Sequence, residues 1–598
     1  MRASHNLALV SGQTQSASPE AARYELARTR PLVRTWIATI PEIRRRDVAA
    51  VFSRRAFIRF AGLIAPDAEL TEPFAKLFGR LDGMAAGLAD TIAIYAANLP
   101  PIEGAHYISS LYTTLLTARD RSALGAFYTP PALVNRLIAL ADEAGLDWRV
   151  ARVLDPASGG GAFLLAAAAR MRAALEGANP ALILAQIGSR LSAFELDPHA
   201  AWFGQASLDL MLSDLSLEAR RPVPKVVKVC DTLEEPPSAS FDLVVGNPPY
   251  GRVTLTADQR TRFARGLYGH ANLYGVFTDI AVRWARKNGL IAFLTPTSVL
   301  GGQYFAALRG LLASDAPPDA IDFVCSRKGV FEDALQETLL ALYRKGGKPR
   351  PIQIHYLQVV SEREAVLRTN GTVTLPADPT SPWLAPRSPE QSRIAAAASK
   401  MPARLEDWGY RVSTGPLVWN RFKDQLRDRP GKNTYPLLWA EAVTTDGRFV
   451  YRAEKKNHAP YFSTKAGEEW LVVRSPSVLV QRTTAKEQPR RLIAAELPQS
   501  FLDAHGPVVV ENHLNMVRPD CMTPAVSPAA LAAVLNSDIV DQVFRCISGS
   551  VAVSAFELEA IPLPPVKAMV AIERLVARGA SRTAIDAALA KLYGIETP

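Results

Sequence analysis

The chain has 598 residues, 48% hydrophobic and 21% charged, enough for about three or four ordinary domains with buried cores rather than a disordered or fibrous protein. Its four scattered cysteines (Cys230, Cys325, Cys521, Cys546) form no C-x-x-C pair, which argues against a disulfide framework and fits a reducing cytoplasm. No apolar run approaches the roughly 18 residues of a membrane span, the N-terminus lacks the apolar core of a secretory signal, and a formal charge of +10 favours a polyanionic partner.

Residues 1–22, rich in Ser, Gln and Ala, read as a flexible tail. Over 23–120 the apolar residues recur at helical spacing, as in PFAKLFGRLDGMAAGLADTIAIYAANL, and predict a helical N-terminal region. GAFYTPPALVNRLIALADEAG follows, with Pro130 and Pro131 at the entry of a helix. From about 150, short β-rich runs alternate with Ala- and Leu-rich helices: ARVLD (151–155), LSAFELD (191–197), KVVKVCD (225–231), FDLVVGN (241–247), GLIAFLTP (289–296), IDFVCSR (321–327) and TLLALYRK (338–345). This alternation predicts an α/β domain over 121–375, a mainly parallel sheet with helices on both faces. A Pro- and Ser-dense stretch, PADPTSPWLAPRSPEQS, reads as a linker over 376–400. The remainder, 401–598, is expected to be a mixed α+β domain ending in two short helices. Its first hundred residues carry 17 Lys and Arg against 11 Asp and Glu, together with Trp408, Trp419, Trp439 and Trp470.

In an open parallel sheet, ligands bind beyond the carboxyl ends of the strands. Four predicted strands in succession end on a polar side chain: Asp155, Glu195, Asp231 and Asn247. The first runs into DPASGGGAF, where Gly159, Gly160 and Gly161 permit a tight turn before a helix and close approach to a ligand. The turn lacks the Lys-Ser/Thr ending of a nucleotide-binding P-loop; alone, it reads equally as a plain strand–helix connection. Glu195 can accept hydrogen bonds from ribose hydroxyls and Asp231 from an adenine amine, although either singly could be a solvated carboxylate or a helix cap. The most specific signal is Asn247-Pro248-Pro249-Tyr250. Two prolines fix the backbone and remove two donors, Asn247 and Pro248 offer carbonyl oxygens, and Tyr250 offers an aromatic face. Two such acceptors draw an exocyclic amine out of conjugation with its ring and make it a better nucleophile.

These residues resemble the S-adenosylmethionine-dependent DNA adenine-N6 methyltransferases, in the motif order of the gamma class of restriction–modification systems. The likeness is good over 120–350 and looser over 400–565. It implies a Rossmann-like methyltransferase sheet, a C-terminal DNA target-recognition domain over 401–598, and methyl transfer from S-adenosylmethionine to a flipped adenine in double-stranded DNA. By the same resemblance Thr129, Asp155, Gly159 and Gly161 hold the methionine and ribose parts of the cofactor. Glu195 holds the ribose and Asp231 the adenine. Asn247, Pro248 and Tyr250 serve the target base, with Phe331 as a second stacking aromatic. No metal is implied, the location is cytoplasmic with no membrane partner, and a separate cognate restriction endonuclease is compatible with the pattern. Alternatives are a methyltransferase acting on RNA or on a protein glutamine, and the methylase half of a fused restriction endonuclease.

Overall fold

The computed structural model describes residues 18–76, 80–125, 129–238, 240–326, 337–484, 488–549 and 552–595. The chain divides into two compact units, the first made of Met1–Val253, Asn272–Leu294 and Ser361–Glu364.

The first unit opens with five helices: α1 (Pro19–Ala38), α2 (Glu42–Ile64), α3 (Gly83–Ala96), α4 (Pro101–Leu115) and α5 (Ala118–Leu124). Helix α1 starts inside the expected tail. Ser18 caps it by accepting from the Ala21 N–H at 3.3 Å, Pro19 occupies the first turn, and Ala22 is fully buried, so 19–22 are helix rather than tail. Alternation then sets in with α6 (Pro131–Glu143), β1 (Val153–Asp155), α7 (Ala162–Ala174), α8 (Pro180–Arg190), β2 (Leu191–Glu195), α9 (Pro198–Met211), α10 (Ser213–Ala219), β3 (Val227–Val229) and β4 (Phe241–Gly246).

Every pairing among these strands is parallel: β1 lies between β2 and β4, β3 adds beyond β2, and the strand Ala285–Pro296 adds beyond β4. All six residues of β4 are buried, Asp242 among them, as expected of a strand covered on both faces. The third strand is shorter than KVVKVCD suggests because the Val226 and Val227 amides both donate to Oε1 of Gln205, a side chain doing the work of a neighbouring strand. The strand order reverses between β1 and β4, the place where an open α/β sheet forms its ligand crevice.

The helical region does not fold apart from this sheet. Phe52, Phe57, Phe60, Ile108 and Tyr112 share one core with Trp202 and Phe203 of α9, and the Phe57 ring meets those two rings edge-on at 5.6 and 6.0 Å.

The second unit comprises Thr254–Ala271, Thr295–Val360 and Ala365–Pro598. Pro318–Ser326 pairs antiparallel with Thr338–Arg344 and parallel with Ile352–Val359, which turns back antiparallel onto Ala365–Val373. A four-stranded antiparallel sheet (Tyr410–Thr414, Leu514–Pro519, Ser477–Gln481, Ala494–Leu497) and a mixed five-stranded sheet follow. The C-terminal helices Pro528–Leu535, Asp538–Ile547, Val570–Ala577 and Arg582–Leu592 bury Leu531, Val540, Phe544, Ile572 and Leu589 in one core.

The expected linker is a packed part of this unit. Trp383 is 2% exposed and donates to the Pro379 carbonyl, while Gln391–Ala398 is a helix whose Ala398 enters the C-terminal core. Its prolines and serines shape turns around a buried Trp instead of spacing two domains. Among the described residues, no helix is long and apolar enough to cross a membrane.

Candidate active site

A cavity of about 290 Å³ opens at the carboxyl ends of β1 to β4, wholly within the first unit. Of the residues singled out in the sequence, Thr129, Gly159, Glu195, Asp231 and Asn247 line it. Thr129, just before α6, and Asn247, at the end of β4, lie 118 positions apart in the chain, yet their side chains come within 3.0 Å.

The glycine turn is built by two close approaches. Gly161 caps α7 with φ of +88°, and a Cβ there would lie 2.8 Å from the Cα of Gly204 in α9, so no other residue fits. The Gly159 N–H donates to Oε2 of Glu195 at 2.7 Å, tying the turn to the end of β2. Oε1 of Glu195 accepts from the Asp197 N–H at 2.8 Å. Burial raises this carboxyl to about 7 against the pull of those two N–H groups.

Asp155 and Gly161 do not line the cavity. Asp155 is 1% exposed, its Oδ1 accepts from the Ala157 N–H at 3.1 Å and its Oδ2 is buried with no hydrogen-bond partner. Burial, reinforced by Glu195, raises it to about 8. Both residues shape the turn from beneath, because β1 ends one residue before the loop rises to the cavity.

At the end of β4, the Asn247 amide is oriented by Thr129: its Nδ2 donates to Thr129 Oγ1 at 3.0 Å. That leaves Oδ1 as the amide's acceptor, and it is buried with no hydrogen-bond partner among the described residues. An acceptor in that state carries a desolvation cost of about 1–3 kcal/mol until a donor reaches it. Pro249 lines the cavity beside Asn247, and no Cβ fits at Gly125 (φ of +61°), which lies directly against it. Pro248 and Tyr250 are not in the cavity lining. The Tyr250 ring is fixed edge-on to Tyr274 at 6.0 Å, its hydroxyl donates to the Leu294 carbonyl at 3.3 Å, and burial raises its pKa. Asp231, exposed at the end of the third strand segment, uses Oδ1 to accept from the Leu233 N–H at 2.9 Å. Phe331 and the Ala126–Tyr128 segment lie outside the described residues.

Several lining residues were not read from the sequence. His106, Ser109, Ser110 and Thr113 form one wall from α4. Their spacing of i, i+3, i+4 and i+7 is one helical face, but a polar face on a helix ordinarily signals solvent. Asp197 is a second: its position before Pro198 marks a helix cap, and it does accept from the His199 N–H at 3.1 Å. It is also 1% exposed, bound by the Tyr112 hydroxyl at 2.6 Å and by Arg46 at 3.1 Å. Among the described residues no Lys or Arg lines the cavity; its acidic side chains are Glu195, raised to about 7, Asp197, paired with Arg46, and the exposed Asp231.

Residues 223–331, which include Asn247 to Tyr250, match the family described as Eco57I restriction-modification methylase. The chain is 26% identical over 463 residues to the Type II methyltransferase M.BsuBI of Bacillus subtilis, covering 75% of this chain and 88% of that protein. It is 25% identical over 335 residues to M.PstI of Providencia stuartii, covering 55% and 66%. The solved structure of the Type IIL restriction-modification enzyme MmeI in complex with DNA shares the fold, with a TM-score of 0.50 and 14% identity over 99% of this chain and 95% of that one. The chain is therefore related to Type II methyltransferases of restriction–modification systems, on an α/β methyltransferase fold.

Proposed function

We propose that this chain is a DNA methyltransferase that places a methyl group on the N6 amine of an adenine flipped out of a specific double-stranded sequence. The observation that carries the reading is the buried, partnerless Oδ1 of Asn247, oriented by Thr129 beside the Pro-Pro turn. An exocyclic amine is the donor such an acceptor lacks. In this reading the amine donates to Asn247 Oδ1 and to the Pro248 carbonyl, which keeps the nitrogen's lone pair on nitrogen. Tyr250 supports the base by stacking. Positioning and this tuning of one nitrogen supply the rate, with no covalent intermediate on the protein.

The cavity suits S-adenosylmethionine, which supplies the methyl group. Ser158 Oγ is buried there with no hydrogen-bond partner, and Gly159 and Gly160 leave the turn bare of side chains. Thr129 and Gly159 would hold its methionine part, Glu195 its ribose and Asp231 its adenine. Asp155 and Gly161 keep the turn in shape. Basic residues of 401–598 neutralise phosphates while their loops read base edges.

Expression in a host lacking adenine methylation, followed by genome-wide mapping of modified bases, tests the reading. Modified adenines in one sequence context are expected. Asn247→Ala should lower turnover by about a hundredfold or more, with S-adenosylhomocysteine still bound. An unmodified genome despite soluble protein, or full turnover by Asn247→Ala, overturns it.

A further inference from the structure

Helix α4 presents His106, Ser109, Ser110 and Thr113 to the cavity along one face. Ser109, Ser110 and Thr113 are 4%, 6% and 9% exposed, so these polar groups are not there for water. The three hydroxyl hydrogens are already committed within the helix: Ser109 donates to the His106 carbonyl at 3.1 Å, Ser110 to that of Tyr107 at 2.7 Å and Thr113 to that of Ser110 at 2.9 Å. What the face offers a ligand is oxygen lone pairs. His106 adds no positive charge: burial and the nearby Arg30 hold it down to about 4, and it binds the backbone of Thr129. With no Lys or Arg in the lining among the described residues, this wall is matched to a hydrogen-bond donor and mismatched to a carboxylate.

The face also has a position along the ligand. His106 joins Thr129, and Ser109 abuts the glycine turn, where a Cβ on Gly160 would lie 3.2 Å from the Ser109 Cβ and Oγ. The partnerless buried Oγ of Ser158 sits in that same turn. This is the part of the cavity that the methyltransferase reading gives to the amino-acid tail of the cofactor.

We propose that the polar face of α4, chiefly Ser109 and Ser110, binds the ammonium group of the cofactor's amino-acid tail, making the N-terminal helices part of the cofactor site. The inference rests on the methyltransferase reading above.

Calorimetric titration of the full chain with three probes tests it. S-adenosylhomocysteine carries the whole tail, its decarboxylated analogue keeps the amine alone, and 5′-methylthioadenosine has no tail. The Ser109→Ala/Ser110→Ala variant should bind the first two about tenfold more weakly, and 5′-methylthioadenosine as tightly as the wild type does. Unchanged binding of all three, or an equal loss for all three, overturns the proposal, as does a loss confined to the probe with the carboxylate. Thermal unfolding of the ligand-free variant should match the wild type; if the double variant does not fold, Ser110→Ala is read in its place. A wild-type protein that binds none of the probes sinks the methyltransferase reading itself, which is a distinguishable result.

Discussion

Asp155 is a carboxyl group with one oxygen held by a single N–H and the other held by nothing, and its folded pKa of about 8 stands far above the ordinary 3.8. The folded state therefore binds a proton that the unfolded chain releases near pH 4. Stability from this group is complete below about pH 4 and is lost as pH rises through about 8; Glu195, raised to about 7, adds to the loss from about 4.5 upward. Denaturant titrations at pH 6 and pH 9 should show the wild type weaker at pH 9, with a smaller difference in Asp155→Asn; an unchanged difference contradicts the assignment. Gly161→Ala meets both a left-handed backbone and the Gly204 Cα, and should cost about 2 kcal/mol or more in the same assay. Much of this site was legible in the sequence, because Asp155, Glu195 and Asn247 each interrupt an apolar run where a strand must end. Depth was not legible: whether a strand-end carboxyl faces the cavity or lies beneath it depends on the path of the chain beyond the strand, and Asp155, the last residue of β1, is buried outside the cavity lining.

Among the elements, the parallel strands and the N-terminal helices were readable because their apolar periods are plain. Ile352–Val359 and Ala365–Val373 were not, since the latter is largely exposed and holds Asn370 and Gly371, residues that usually mark loops. The Pro- and Ser-rich stretch misled for a related reason: its composition describes turns, whereas its fate is decided by Arg309. That guanidinium is fully buried and donates to the carbonyls of Val299, Gly302, Thr380 and Ser381, fastening 380–381 to the chain after the strand Ala285–Pro296. Removing a buried cation that holds four carbonyls and lies over the Phe556 ring leaves those carbonyls dry. Arg309→Ala should therefore destabilise by about 3 kcal/mol or more; a loss under about 1 kcal/mol in equilibrium unfolding would show that water replaces it.

Across the whole molecule, charge is segregated. The chain carries +10 overall, with an excess of six basic residues over 401–500, yet among the described residues the cavity lining holds three acidic side chains and no Lys or Arg. If six or more basic side chains meet DNA phosphates, affinity should fall about a thousandfold between 50 and 200 mM salt; a salt-insensitive affinity in filter-binding or anisotropy measurements would remove DNA from the account. The acidic lining has its own consequence for turnover. If the donor is the proposed S-adenosylmethionine, its sulfonium arrives with a positive charge and leaves as a neutral thioether, so any attraction that admits it is switched off by its own reaction. The wall thereby tilts exchange towards fresh donor and away from inhibition by spent donor.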